Sequence, residues 1–147
     1  MTIPTPEEIN CHDSLDERAA SAHFAGKNLD EAEALFRQNS LYYQEDLMFM
    51  GPIAFRFYIH AAIRYFQSDA ATGDSDIVYC LAGLLEFRLK YEPEELSAIA
   101  KCLCDACTYV LSNWPRFGVS PDLYGDLVGR FENLRRAFAL STGSDAK

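Results

Sequence analysis

Arg56, His60 and Arg64 stand four residues apart within the stretch from Phe49 to Gln67. On a helix that spacing stacks them along one side. Two guanidinium groups flanking an imidazole would suit a carboxylate or phosphate ligand. Tyr42, Tyr43 and the acidic pair Glu45-Asp46 precede them closely and complete a candidate binding site. The plainer reading is structural. Buried arginine is rare unless paired, so carboxylates are expected opposite, from Glu45, Asp46, Asp76 or Glu86. No nucleophile or second histidine stands at a fixed offset from His60, so no catalytic residue is assigned and the chain leans away from being an enzyme.

Other chemistry finds less support. Cys102, Cys104 and Cys107 invite a metal or redox reading. At about 100° per residue, Cys102 and Cys104 fall about 200° apart on a helix. A zinc site needs about four converging ligands, and no second cluster of Cys and His exists. No metal or cofactor is therefore expected. His12, His23 and His60 lack ligand spacing, and neither a nucleophile elbow nor a Gly-rich phosphate loop occurs. The acidic pairs Glu7-Glu8, Asp30-Glu31 and Glu94-Glu95 open helices, where the helix dipole favours them. Glu45-Asp46 lies instead just before the central helix, among aromatics. It is either the partner of Arg56 or Arg64, or one wall of a site.

The helix that must carry the cationic line begins at Gly51-Pro52. Glycine tolerates the left-handed turn that closes the preceding segment, and proline suits the first helical position. Phe55, Ile59, Ala62, Ile63 and Phe66 then recur at helical spacing, with Ile53, Phe57 and Ala61 widening the face. A helix this apolar belongs in a core. Upstream, Thr5-Pro-Glu-Glu8 and Ser14-Leu-Asp-Glu17 have the form of capping boxes. They start one broken helix or two short ones, ending by Gly26. Asn28 caps the next, which ends near Asn39, and Ser40 to Met50 reads as a further short helix.

Downstream, Ser68 to Asp74 is a polar loop, with Asp74 or Ser75 as the cap of the next helix. Ile77 to Tyr91 reads as a second core helix. Glu92-Pro93 opens a helix running to Asn113-Trp114-Pro115, and Ser120-Pro121 opens the last. Gly125 and Gly129 would lie on one flank of that helix. They or the Cys104 side could serve a homodimer. The expectation is an all-α, single-domain, irregular bundle of about six helices over residues 1–140, with a flexible polar tail at 141–147.

The chain has 147 residues and a net charge of −9. No dense basic cluster exists beyond Arg130, Arg135 and Arg136, which argues against nucleic acid and anionic lipid. The balance permits a basic protein partner. No apolar run is long enough to span a membrane, and the opening residues do not read as a secretory signal. Five cysteines, an odd number, argue for thiols rather than a disulfide framework. The cytoplasm is the expected setting.

His23 to Glu33, then Leu41 to Pro52 and Phe55-Arg-Phe-Tyr58, resemble a bacterial family of small uncharacterised cytosolic proteins over roughly residues 20 to 138. The resemblance implies no activity and assigns no residue a role. It implies that the aromatic, acidic, Gly-Pro segment is a family trait. Composition favours a non-catalytic protein-binding or regulatory role, of the immunity or antitoxin kind or as an accessory factor. The alternative is a small anionic-ligand site or enzyme around Arg56, His60, Arg64 and Glu45/Asp46.

Overall fold

Capping chemistry sets the first helices. In the computed structural model, which describes residues 2–145, Thr5 and Glu8 exchange side-chain and backbone hydrogen bonds at the start of α1 (Pro6–Ile9). Ser14 and Glu17 do the same for α2 (Leu15–Phe24), and Asn28 and Glu31 for α3 (Leu29–Phe49). Each box satisfies N–H groups that a helix start leaves without partners. Asn39 interrupts α3 with extended backbone (φ −162°), and its side chain accepts the Tyr42 N–H at 3.1 Å. The two helical segments expected on either side of Asn39 are both present and meet at this kink, with Asn39 capping the second.

Described residues are all-α, without strands, and six of the helices have ten residues or more. They form two compact units, divided between Ala71 and Thr72. The division falls in the polar loop after Gln67.

In the first unit, α4 (Pro52–Gln67) lies against α3 and α1. Ala54, Phe55, Tyr58, Ile59, Ala61, Ala62 and Phe66 are buried, as its apolar periodicity requires. Tyr58 joins Phe24 and Phe36 in an aromatic core, with ring centroids 5.0 Å apart for Phe24 and Tyr58. Its hydroxyl reaches the carbonyl oxygens of Phe24 (2.8 Å) and Lys27 (2.9 Å). One phenol thereby ties the α2–α3 turn to the middle of α4. Burial and the nearby Glu31 charge push its pKa up to about 12, against the pull of the Lys27 hydrogen bond.

Gly51 has another purpose than a left-handed turn, since its φ is −59°. Its N–H donates to the Ile9 carbonyl at 2.9 Å, and a β-carbon there would overlap the Glu8 carbonyl oxygen and the Cys11 sulfur. Glycine is needed because the end of α1 lies on the α3–α4 corner.

In the second unit, Asp74 caps α5 (Ser75–Tyr91), accepting the Ile77 N–H at 3.2 Å. Two short turns, α6 (Pro93–Leu96) and a 3-10 segment, precede α7 (Ala100–Ser112). The single long helix expected after Pro93 is therefore broken before Ala100. α7 and α9 (Leu127–Asp145) lie side by side, with Leu103, Cys107 and Val110 on one and Phe131, Leu134 and Phe138 on the other buried. Arg130 grips Glu86 with Nε at 3.0 Å and Nη2 at 2.6 Å, linking α9 to α5.

The last helix also departs from expectation. Pro121–Tyr124 is a separate turn, α8, because Gly125 is left-handed (φ +64°). Asp126 then caps α9 through the Gly129 N–H at 3.0 Å. Gly125 and Gly129 therefore form no shared helical flank. α9 continues through Asp145, so 141–145 extend the helix; the remainder of the expected tail lies outside the described residues.

Two substitutions test these contacts. Gly51→Ala should destabilise by roughly 1–3 kcal/mol, the usual cost of overfilling a close contact. Tyr58→Phe should cost about 1–2 kcal/mol by removing the one hydroxyl donor that the Phe24 and Lys27 carbonyls share; the Phe24 carbonyl keeps the Lys27 N–H at 3.0 Å. Urea denaturation measures both, and an unchanged midpoint for either contradicts the contact it probes.

Candidate functional site

Helical spacing brings two sets of side chains together in the first unit. Asp16, Ala19 and His23 share one side of α2, and Tyr42, Glu45, Asp46 and Phe49 share one side of the second half of α3. They line a cavity of about 120 Å³. Its centre is a chain of three polar groups. His23 Nδ1 lies 2.6 Å from Asp46 Oδ2, and His23 Nε2 lies 3.3 Å from the Tyr42 hydroxyl. Because the carboxylate accepts, Nδ1 carries the proton, and in the neutral imidazole Nε2 accepts from the phenol. Tyr43 closes edge-on against the His23 ring, with centroids 5.2 Å apart.

The charge around this chain is unbalanced. Asp46 is only 9% exposed at its side chain. Burial pushes its pKa up, the His23 hydrogen bond and charge pull it down, and the Glu45 and Asp16 charges push it up again; the net direction is upward. Asp16 and Glu45 take no ion pair or hydrogen bond from other described side chains. One imidazole therefore faces three carboxylates.

The order carboxylate, imidazole, hydroxyl is that of a base-activated nucleophile. Acyl transfer also needs donors converged on a developing oxyanion. The remaining charged groups here are carboxylates, which repel one. The arrangement suits a cation far better.

The cationic line of α4 is separate in its chemistry. Arg56, His60 and Arg64 do share the less buried side of the helix, as their spacing predicts. Arg64 Nη1 pairs with Asp30 at 3.2 Å, an acid outside the four expected candidates. Of those four, Asp46 goes to His23 and Glu86 to Arg130. Burial, then the Arg64 charge, lowers the His60 pKa. Arg64 and Asp30 border a second hollow, of about 480 Å³, together with Ile3, Asn28, Leu29 and Phe57. Arg56 and His60 line neither hollow. Tyr42, Glu45 and Asp46 thus belong to one site and Arg64 to another.

His23 is the residue that sequence reasoning missed. Spacing rules for metal ligands passed over it, since its partners lie 19 and 23 residues away. The available signal was the matched stripes, Asp16/His23 on one helix and Tyr42/Asp46/Phe49 on the next.

The cysteines are free thiols. Cys104 is half-buried, with its Sγ 3.6 Å from the Arg135 carbonyl oxygen of α9. Burial, with a smaller push from Cys104, raises Cys107 to about 12 despite Arg135, and burial and Asp105 raise Cys102. Among the described residues no three His, Cys, Asp or Glu side chains converge on a metal position. Nor is any described helix long and apolar enough to cross a membrane.

The chain matches no protein-family model, no curated protein and no solved structure. Its chemistry alone carries the functional reading.

A carboxyl whose pKa is raised by folding stabilises the fold only while protonated, and that contribution is lost as pH rises through the folded pKa. Asp46→Asn keeps an acceptor for His23 and removes the ionisation. At pH 7 the variant should be at least as stable as the parent, and the parent should gain on it as pH falls through the carboxylate range. Thermal melts across pH measure this. A variant much less stable at pH 7 would mean that Asp46 acts as a stabilising ion-pair partner.

Proposed function

We propose that the protein is a non-catalytic acidic binding module that engages a basic protein partner. The observation that carries this is the distribution of charge. Eleven carboxylates against five Lys and Arg leave residues 1–71 at −6, and the rest of the chain holds the other −3. The surplus includes Asp16 and Glu45, beside Tyr42, which is half exposed, and Leu41, which is 51% exposed. Acids without local counter-ions beside exposed aromatic and aliphatic surface favour a positively charged partner and speed its encounter. A regulatory or inhibitory role fits this chemistry. Five cysteines held as thiols support a reducing, cytoplasmic setting.

The test is reconstitution. A partner captured at low salt, identified and purified, should be basic and should form a stoichiometric complex whose Kd rises steeply with ionic strength in calorimetry. A complex indifferent to salt, or no reconstituted complex with any captured protein, contradicts the reading.

A second reading rests on the Arg64 hollow. Its Asp30 pair is exposed, and exposed pairs contribute little, so a ligand carboxylate can displace it. Ile3, Leu29 and Phe57 would receive an apolar body. A small organic anion that raises the melting temperature of the parent but not of Arg64→Gln supports this reading. A panel of such anions with no differential shift removes it.

A further inference from the structure

We infer that the cavity between α2 and α3 receives the guanidinium group of an arginine side chain from the partner. This rests on the proposed binding role and names the group that anchors it.

Three independent features point to that occupant. The first is an open acceptor at the base of the cavity. Asp46 is more than nine-tenths buried at its side chain, and its Oδ2 takes the His23 hydrogen bond. Its Oδ1 takes none among the described residues and is not fully enclosed, so solvent reaches it. Asp46 lines the cavity, so the free lone pairs open onto it. An acceptor oxygen that takes no donor from the protein and is open to solvent is available to a donor on a ligand.

The second feature is electrostatic. Asp16 and Glu45 stand at the rim with no counter-ion among the described side chains, and His23 is already engaged by Asp46 and Tyr42. An added positive group is attracted and an anion is repelled.

The third is shape. Tyr42 and Phe49 supply aromatic walls to a volume of about 120 Å³, large enough for a side-chain head group and too small for a folded element. A metal ion is a poor occupant, because no three ligating side chains converge among the described residues. Guanidinium is preferred over ammonium. It is planar, stacks on aromatic faces, and presents a fork of donors that can meet Asp46 Oδ1 and a rim carboxylate together.

Heteronuclear NMR of the full chain tests this with N-acetyl-arginine amide. Its neutral isostere, N-acetyl-citrulline amide, is the control. Saturable shifts of the Ala19, His23 and Asp46 amides are expected with the arginine probe and not with the citrulline probe. N-acetyl-lysine amide, acetylated only at its α-amine, should bind more weakly than arginine. Asp16→Asn with Glu45→Gln should weaken arginine binding about tenfold. Glu94→Gln with Glu95→Gln, in the other unit, should leave it unchanged. Circular dichroism confirms that each variant is folded, and Asp46→Asn provides a second route to the same loss. Equal shifts from arginine and citrulline, no saturable shift at the cavity, or full affinity in the doubly neutralised variant overturns the inference.

The two levels separate cleanly. A salt-sensitive complex with a basic partner that ignores Asp16→Asn/Glu45→Gln leaves the binding role standing and removes this anchor. Arginine binding at the cavity with no reconstituted basic partner does the reverse.

Discussion

The hydrogen bond between Asp46 and His23 is the constraint around which the candidate site is built. It crosses from α3 to α2 at 2.6 Å and draws a carboxylate into a buried place. Taking a charge out of water is unfavourable unless hydrogen bonds and opposite charge compensate. Here one imidazole provides that compensation, and the neighbouring acids work against it. The site is therefore poised rather than satisfied. A structural ion pair would have recruited a second donor to the free oxygen, as the Arg130 fork does for both oxygens of Glu86.

The rest of the first unit holds that geometry in place. The capping box of Ser14 and Glu17 fixes where α2 begins. Glu17 also accepts the Cys11 and His12 N–H groups at 2.8 and 2.9 Å, which orders the turn before it. Tyr58 fixes where α2 ends and α3 starts. The break at Asn39 re-aims the second half of α3 so that Tyr42, Asp46 and Phe49 face α2. Chemistry at the cavity thus depends on backbone devices that touch no ligand.

Much of the fold was legible in the sequence because its signals are local. Ser14-x-x-Glu17, Asn28 and Pro52 mark helix starts whichever partners they meet, and the apolar face of α4 needs only its own periodicity. Failures came where a local rule allowed two outcomes. Gly125 reads as tolerable inside a helix, but it takes a left-handed conformation and splits the segment. Gly51 reads as a turn glycine, whereas its role is to admit the end of α1, a contact spanning some forty residues that no local pattern encodes. The site was half legible for the same reason. Tyr42, Glu45 and Asp46 were singled out as acids and aromatics in an odd place. Proximity in sequence makes the cations of α4 their expected partners. The structure gives Asp46 to His23 and Arg64 to Asp30, a choice made by tertiary packing.

Surplus negative charge at the α2–α3 cavity underlies the proposed role, and titration of Asp46 itself reads that charge most directly. Carboxyl-carbon NMR across pH should place its pKa above the ordinary aspartate value of 3.8, and neutralising Asp16 and Glu45 together should bring it down. An Asp46 that titrates at or below the ordinary value, indifferent to those two neighbours, would contradict the account.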